Sequence, residues 1–435
     1  MEGRERAALV GLIAGRGRRL DAERSLDELA GLAEAAGAEV VLRVLQERPK
    51  PDPSTYLGAG KIETLAASAA ETDVDLVVFD NELTPAQLRH IEEQVGRKII
   101  DRTQLILDIF ARRARTREGK LQVELAQLKY LLPRLVGAGT ALSRLGGGIG
   151  TRGPGETKLE TDRRRIRTRI HAVSEDIEHV RQRRAQLRER RRKAAVPTVA
   201  LVGYTNAGKT TLFNALTGAA AEASDALFVT LDPLVRQVRL PDNRDLLVSD
   251  TVGFIDRLPH ALVAAFRATL EEVASADLIL HVTDAAAPGR DRRMAAVRQV
   301  LEEVDAINVP LIDVYNKCDM LTTDERRRLQ EQDPAAVCIS ASGGNIVHGP
   351  TGSGHGAQGA QGPWGITELV DIIASRLALD VRRVTLTFNP DESADRERIA
   401  RLYRHARVLV HETRDGRVSI VADVPRRLLG RLDVG

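Results

Sequence analysis

Residues 203–210 read Gly203-Tyr204-Thr205-Asn206-Ala207-Gly208-Lys209-Thr210. The stretch follows the apolar run Val199-Ala200-Leu201-Val202 and precedes a helical pattern that starts at Thr211. A strand, a glycine-rich turn and the start of a helix, in this order, are typical of a phosphate-binding loop. Its glycines permit a tight turn, and the N–H groups of the helix N-terminus attract bound phosphate. The sequence therefore predicts a nucleotide-binding α/β domain, and an accidental glycine-rich turn is the weaker alternative.

Three side chains of this phosphate-binding loop carry the expected chemistry. Lys209 is predicted to reach the β- and γ-phosphates, and the Thr210 hydroxyl to ligate Mg²⁺. Asn206 has two interpretations, which the residues leave open. It either helps to seat a potassium ion beside the phosphates or simply tolerates an unusual turn conformation.

A second motif indicates which nucleotide is bound. Asn316-Lys317-Cys318-Asp319 follows the apolar run Leu311-Ile312-Asp313-Val314-Tyr315. A carboxylate at Asp319 can accept hydrogen bonds from both N1–H and the exocyclic amine of guanine, and adenine offers no such pair of donors. Asn316 is predicted to contact guanine N7 and to brace the phosphate-binding loop, while the stem of Lys317 lies over the base. The motif favours GTP over ATP.

Further motifs lie between and beyond these two. Asp250-Thr251-Val252-Gly253 ends a strand-like run, so Asp250 is expected to hold Mg²⁺ through water and the Gly253 N–H to bond the γ-phosphate. Thr230, in the loop-like stretch Phe228–Asp232, is the candidate for a second hydroxyl on Mg²⁺. Ser340-Ala341 is expected to close over the guanine.

The predicted site residues form three groups. The catalytic candidates are Lys209, Thr230, Gly253 and Asn206, and the metal ligands are Thr210, Thr230 and, through water, Asp250. The GTP-binding candidates are Gly203, Tyr204, Thr205, Asn206, Ala207, Gly208, Lys209, Thr210, Thr211, Phe228, Val229, Thr230, Leu231, Asp232, Asp250, Thr251, Val252, Gly253, Asn316, Lys317, Cys318, Asp319, Ser340 and Ala341.

Composition limits the class of protein. The chain has 435 residues, of which 43% are hydrophobic, and a net charge of +3, which predicts several globular domains rather than a disordered chain. Its two cysteines show no metal-ligand spacing and are expected to be reduced thiols in the cytoplasm. No apolar run approaches the roughly 20 residues of a membrane span. No self-complementary apolar surface is evident, so we expect a monomer.

The pattern of elements predicts a multidomain α/β fold with four parts. Residues 1–115 form an N-terminal α/β domain with a parallel sheet, and residues 116–194 form a helical coiled-coil hairpin. Residues 195–380 form a P-loop domain with a doubly wound sheet, interrupted by a flexible insertion at 343–365. Residues 381–435 form a small C-terminal α+β domain with a hairpin turn at Asp415-Gly416.

The loop that joins the two hairpin helices, residues 136–156, is rich in glycine, contains two arginines and has no acidic residue before Glu156. Such a loop can lie against a phosphate backbone, and a disordered linker is the alternative. A strongly basic run at 181–193 favours a polyanion as partner. The RNA-binding candidates in the loop are Arg144, Gly146, Gly147, Gly148, Arg152 and Gly153.

Taken together, these motifs resemble the HflX family of translation-factor-class GTPases over nearly the whole chain. The Gly-rich hairpin loop, combined with Asp250-Thr251-Val252-Gly253-Phe254-Ile255, is the most specific part of the resemblance. The resemblance implies GTP hydrolysis coupled to binding of the large ribosomal subunit and its RNA, with splitting or rescue of ribosomes. The chain departs from the family pattern at Leu234 and Val235, where threonines are usual, and at the 343–365 insertion.

Two other functions remain open at this point: a nucleotide-gated RNA-binding module, and an RNA-remodelling ATPase that uses the N-terminal loop Gly58-Ala59-Gly60-Lys61. For that loop, a simple helix-entry turn is the competing interpretation. Phe254 stands where Ras-like enzymes keep a water-orienting Gln, and its ring cannot hydrogen-bond the attacking water. We therefore expect slow intrinsic hydrolysis and a partner that orders the switches.

Overall fold

The structure is a computed structural model. By its internal contacts the chain divides into two units. The first contains Met1–Arg181, Asp225–Leu231 and Arg257–Phe266, and the second contains Gln182–Ser224, Asp232–Asp256 and Arg267–Gly435. The residues that the structure describes are 4–15, 18–135, 154–194, 196–224, 226–240, 244–256, 262, 271–342, 363–378, 381–414 and 416–425.

The N-terminal part of the first unit is a four-stranded parallel sheet in the order β2-β1-β3-β4, which confirms the predicted parallel α/β arrangement. Helix α3 begins as predicted, because Thr84 forms a capping box with Gln87 and Pro85 occupies the first turn. Strand β4 and helix α4 were not predicted from the sequence. The elements are β1 (Arg6–Ala14), α1 (Arg19–Ala35), β2 (Glu39–Arg48), α2 (Ala59–Glu71), β3 (Leu76–Phe79), α3 (Pro85–Val95), β4 (Lys98–Asp101) and α4 (Arg102–Arg113).

Two long helices follow, α5 (Arg117–Arg134) and α6 (Pro154–Ala194). Leu121 and Leu125 of the predicted seam pack with Val173, which is fully buried. The Arg169 guanidinium donates two hydrogen bonds, of 2.6 and 2.8 Å, to the carboxylate of Glu124. The helices therefore pack along the predicted seam. The six RNA-binding candidates of the connecting loop lie outside the described residues.

The second unit contains a six-stranded sheet in the order β10-β9-β8-β5-β7-β6. Its strands are parallel except for β6, which pairs antiparallel with β7. This edge strand was not predicted, and it includes Leu234 and Val235. The strand expected at 335–340 is shorter than predicted. The strands are β5 (Thr198–Gly203), β6 (Leu234–Arg239), β7 (Asp245–Asp250), β8 (Leu278–Asp284), β9 (Leu311–Asn316) and β10 (Val337–Cys338).

Helices pack against this sheet and cover an apolar core that includes Leu201, Phe213 and Val282. The core fixes β5 and β8, whose carboxyl ends carry the phosphate-binding loop and its neighbours. Ligands bind at this edge in doubly wound sheets. Among the described residues, the helices of the unit's nucleotide-binding part include α7 (Lys209–Thr217), α8 (Arg290–Glu303), α9 (Thr323–Gln332) and α10 (Ile366–Ala378).

The C-terminal part contains β11 (Val381–Phe388), α11 (Ser393–His405), β12 (Arg407–Arg414) and β13 (Arg417–Pro425). Its antiparallel sheet has the order β11-β13-β12, as a strand, a helix and a hairpin predict. Most of the predicted 343–365 insertion lies outside the described residues. Within the described part of the chain, no helix is long and apolar enough to cross a membrane.

Candidate nucleotide-binding site

The phosphate-binding loop runs from the end of β5 at Gly203 to the start of α7 at Lys209. A Cβ atom at Gly203 would lie 2.1 Å from the carbonyl oxygen of Val282, so no larger residue fits. Gly208 has a φ of +87°, and a Cβ atom there would lie 2.2 Å from Nδ2 of Asn316. Both glycines are therefore required by close contacts with neighbouring strands as well as by the turn itself.

The Lys209 side chain lies beneath this loop. It is only 6% exposed, and its ammonium group donates hydrogen bonds to the carbonyl oxygens of Gly203, at 3.1 Å, and Tyr204, at 3.0 Å. Burial lowers its pKa to about 8, an effect that the Asp250 carboxylate opposes. A buried cation is costly unless its charge is compensated, so this ammonium group is suited to a negatively charged ligand.

Thr210 and Asp250 bring two oxygens together beside the loop. The Thr210 hydroxyl donates a 2.8 Å hydrogen bond to Oδ2 of Asp250, which is fully buried at the end of β7. Mg²⁺ prefers oxygen ligands and commonly keeps water and phosphate oxygens in its shell. The hydroxyl and the carboxylate therefore fit a magnesium ion that is shared with a nucleotide.

The second switch segment, residues 250–256, pairs with the phosphate-binding loop. The Phe254 N–H donates to the Gly203 carbonyl at 3.1 Å, and the Phe254 carbonyl accepts from the Thr205 N–H at 2.6 Å. A Cβ atom at Gly253 would lie 2.9 Å from the Cα of Thr205. This close approach explains why glycine is needed at 253. The Phe254 side chain is only 2% exposed.

Tyr204 makes a contact that the sequence did not reveal. Its hydroxyl accepts a 2.7 Å hydrogen bond from the N–H of Asp256, and the Asp256 carboxylate pairs with Arg292 of α8 at 2.5 Å. The guanidinium of Arg293 lies 5.1 Å from the centre of the Tyr204 ring. Tyr204 therefore joins the phosphate-binding loop to the second switch segment and to α8.

Asn316 connects the two nucleotide motifs. Its Nδ2 donates to the carbonyl of Ala207 at 2.9 Å, and its Oδ1 accepts from the N–H of Ala341 at 3.0 Å. Asn316 is itself only 2% exposed. One side chain thus fixes the distance between the phosphate-binding loop and the 340–341 loop.

Asp319 follows in the short 3₁₀ turn Cys318–Met320. Its Oδ1 is buried, and no hydrogen-bond partner for it is present among the described residues; the same is true of the Ser340 hydroxyl. The Lys317 ammonium pairs with Asp284 at 2.9 Å. A buried carboxylate oxygen without a partner is unfavourable, so Asp319 is ready to accept a donor from a ligand.

The first switch segment, residues 228–232, is divided between the two units. Phe228 to Leu231 belong to the first unit and Asp232 to the second. The Phe228 ring is 2% exposed and lies edge-on to Phe110, with 4.7 Å between ring centres. The Phe228 side chain is therefore engaged in an apolar contact, and the role of Thr230 as a ligand stays a prediction.

The N-terminal loop at Gly58–Lys61 has the geometry of a helix entry. Gly58 is the N-cap of α2, and its N–H donates to Oε1 of Gln46 at 2.9 Å. A Cβ atom at Gly58 would lie 2.8 Å from Nη1 of Arg48. The local contacts thus account for this glycine without a ligand.

A pair of glycine substitutions tests the geometry of the phosphate-binding loop. We expect Gly208→Ala to weaken nucleotide binding by about tenfold or more, because Asn316 is held by two hydrogen bonds and cannot move away from the new methyl group. Gly218→Ala is the matched control, since Gly218 also has a positive φ of +65° but no atom lies within 4 Å of its Cβ position. Titration with a fluorescent guanine nucleotide measures both. Equal affinities in the two variants would contradict the proposed constraint.

Three family models match the chain in succession. They are described as GTP-binding GTPase N-terminal, over residues 23–111, GTP-binding GTPase Middle Region, over 113–191, and 50S ribosome-binding GTPase, over 198–317. The GTPase HflX of Escherichia coli is 45% identical over 402 residues, which cover 92% of this chain and 89% of that protein. The chain belongs to the HflX family of GTPases.

Other HflX proteins support the same assignment. The GTPase HflX of Caldanaerobacter subterraneus is 54% identical over 318 residues, covering 73% of each chain. That of Alkalihalophilus pseudofirmus is 54% identical over 300 residues, covering 69% of this chain and 71% of its own. The resemblance predicted from the motifs is confirmed. As an HflX family member, the chain is a GTPase, and its nucleotide-binding part belongs to the 50S ribosome-binding class of GTPase domain.

Proposed function

We propose that this GTPase couples its nucleotide cycle to the large ribosomal subunit and its RNA, and that the cycle splits or rescues ribosomes. The observation that carries the proposal is the match of residues 198–317 to the 50S ribosome-binding GTPase model, because this span contains the phosphate-binding loop, the second switch segment and Asn316. The proposal implies a monomer that acts with ribosomes in the cytoplasm.

Guanine selection is assigned to Asp319. Its buried oxygen, for which the described residues supply no donor, is placed to accept from the base, while Asn316 fixes the neighbouring loops. An adenine base would leave this carboxylate buried and without a donor, which costs binding energy. The site therefore favours GTP and GDP as ligands.

The residues of the loop stabilise charge during hydrolysis. Lys209 reaches the β- and γ-phosphates from its buried position, and the Gly253 N–H contacts the γ-phosphate. Thr210, Asp250 through water and Thr230 would hold Mg²⁺, which when bound neutralises charge on the phosphate oxygens. Tyr204 holds the second switch segment in register with the loop through its hydrogen bond with Asp256.

The isolated chain is poorly equipped to orient the water molecule that attacks the γ-phosphate. Phe254 is apolar, and its backbone is already paired with the phosphate-binding loop. Asn206 has a φ of +58°, which asparagine tolerates without a ligand. A potassium ion seated by Asn206 would add positive charge beside the phosphates. Equal hydrolysis rates in potassium and sodium buffers would show that Asn206 serves only the turn conformation.

Sedimentation with purified ribosomal subunits tests the partner. We expect the chain to sediment with large subunits in the presence of a non-hydrolysable GTP analogue and to remain largely in the supernatant with GDP, because the γ-phosphate orders the switches. Small subunits are the control. Equal binding with the GTP analogue and with GDP would contradict the coupling, and absence of binding to large subunits would remove the proposed partner.

A further inference from the structure

The two cysteines of the chain meet inside the second unit. Cys318 lies within the guanine motif, just beyond the end of β9, and Cys338 ends the neighbouring strand β10. The Cys318 N–H donates to the carbonyl of Ile339 at 3.1 Å, and both side chains belong to one apolar cluster. The two thiols lie close enough for each to shift the pKa of the other. The chain has only two cysteines, so the contact uses every thiol of the protein.

The two thiols differ in exposure and acidity. Cys318 is buried and Cys338 is partly exposed. The neighbouring Cys318 side chain lowers the pKa of the Cys338 thiol, with a further contribution from Arg326 and Arg290 and opposition from burial and Glu368. Contact with Cys338, together with burial, raises the pKa of Cys318. The thiolate is the nucleophilic form of cysteine, so Cys338 is the residue that an oxidant would meet first.

We propose that Cys318 and Cys338 form a reversible disulfide under peroxide, and that this bond weakens binding of guanine nucleotides. The first part concerns the thiols alone. The second part rests on the proposed guanine site.

The chemistry requires one peroxide per disulfide. The Cys338 thiolate attacks one oxygen of hydrogen peroxide, the O–O bond breaks, and a sulfenic acid forms while hydroxide leaves and takes up a proton to become water. The Cys318 sulfur then attacks the sulfenic sulfur, the thiol proton and the departing hydroxide form a second water, and an S–S bond results. Each sulfur loses one electron and the peroxide gains two. A dithiol reductant reverses the reaction by exchange.

The bond would act on the loops that surround the base. An S–S bond is about 2.0 Å long, so the two sulfur atoms must move from non-bonded separation to bonding distance. The Cys318 Sγ would then give up its 3.2 Å hydrogen bond to the Tyr315 carbonyl. Cys318 shares its 3₁₀ turn with Asp319, and the preceding residue, Lys317, already has a φ of +60°. A turn that begins in this sparsely populated conformation has little freedom to absorb the movement.

A natural reporter lies beside the pair. Trp364 is the single tryptophan of the chain, and it packs against the cluster that contains both cysteines. The backbone N–H of Trp364 donates to the Ser340 carbonyl at 3.1 Å, which places this residue next to the loop after β10. Because a nearby disulfide quenches indole emission, the fluorescence of Trp364 reports on the thiols without any nucleotide.

The test treats the full-length protein with hydrogen peroxide and makes three measurements. We expect the intact mass to fall by two hydrogen atoms, the Trp364 emission to decrease, and the dissociation constant for fluorescent GDP to rise about tenfold or more, with all three changes reversed by dithiothreitol. Cys338→Ser is the control, and Cys338→Ala is a second one. Both variants should bind GDP as tightly as the reduced parent protein does, and peroxide should leave their affinity for GDP unchanged.

The outcomes separate the two parts of the proposal. Absence of the mass change and of quenching would overturn the disulfide. A disulfide that forms while the affinity for GDP stays unchanged would overturn its effect on the base site. If the reduced parent protein does not bind guanine nucleotides at all, the guanine assignment fails together with that effect, and the mass and emission still decide whether the bond forms.

Discussion

Replacing Asp319 with Asn is expected to weaken GTP binding by about a hundredfold or more, equivalent to about 2.7 kcal/mol. The amide keeps one acceptor but replaces the other carboxylate oxygen with an NH₂ group, which faces the exocyclic amine of guanine donor to donor. Xanthine carries a carbonyl at that position, so the same variant should bind xanthosine triphosphate more tightly than the parent does. Titration with both fluorescent nucleotides measures the exchange of specificity.

The control for this experiment is Asp324→Asn. Asp324 lies in the first turn of α9, and its side chain is 75% exposed, so its charge contributes little to any site. Both affinities should match the parent in this variant. An Asp319→Asn protein that keeps the parent's preference for GTP would remove Asp319 from guanine recognition, and with it the argument drawn from its buried oxygen.

Replacing Lys209 with Ala is expected to lower kcat/KM for GTP hydrolysis by about a thousandfold or more, equivalent to about 4 kcal/mol. The ammonium group is buried and is held at the phosphate-binding loop by two carbonyl oxygens. Its removal takes away charge stabilisation that develops as the γ-phosphate is transferred. Single-turnover hydrolysis at saturating enzyme separates this effect from weaker binding.

The fold should survive this substitution. Burial holds the pKa of Lys209 down at about 8, so the free protein carries a charge that is unfavourable in its surroundings, and losing it should not lower the thermal unfolding midpoint. Lys129→Ala, which removes an exposed lysine of α5, is the comparison. A Lys209→Ala protein with near-normal turnover would contradict the assigned role, whereas one that unfolds early would contradict the pKa argument.

The sequence predicted the elements whose signals are local. The phosphate-binding loop, the guanine motif and the capping box at Thr84 are encoded in short stretches with definite spacing, and β8 forms from a run that is almost wholly buried. Strand β6 was not predicted because it lies at the edge of the sheet. Half of its residues are exposed, and its position is set by pairing with β7. Periodicity alone rarely reveals such a strand.

The contacts that join the motifs could not be predicted in the same way. Tyr204 and Asp256 are 52 residues apart, and the Asn316 bond to Ala207 spans 109 residues. The guanine motif identified Asn316 as a brace, but no pattern marked Asp256, Arg292 or the contact between Cys318 and Cys338. These depend on how β5, β8, β9 and β10 are ordered in the sheet, which is a property of the tertiary fold.

The central claim is that this GTPase is activated by the large ribosomal subunit. The most direct measurement is the rate of GTP hydrolysis by the full chain in potassium buffer, alone and with purified large subunits, with Lys209→Ala as the background. We expect slow turnover by the chain alone, because Phe254 cannot orient water, and an increase of about tenfold or more with large subunits. Rapid turnover without subunits, or a rate that large subunits leave unchanged, would contradict the account.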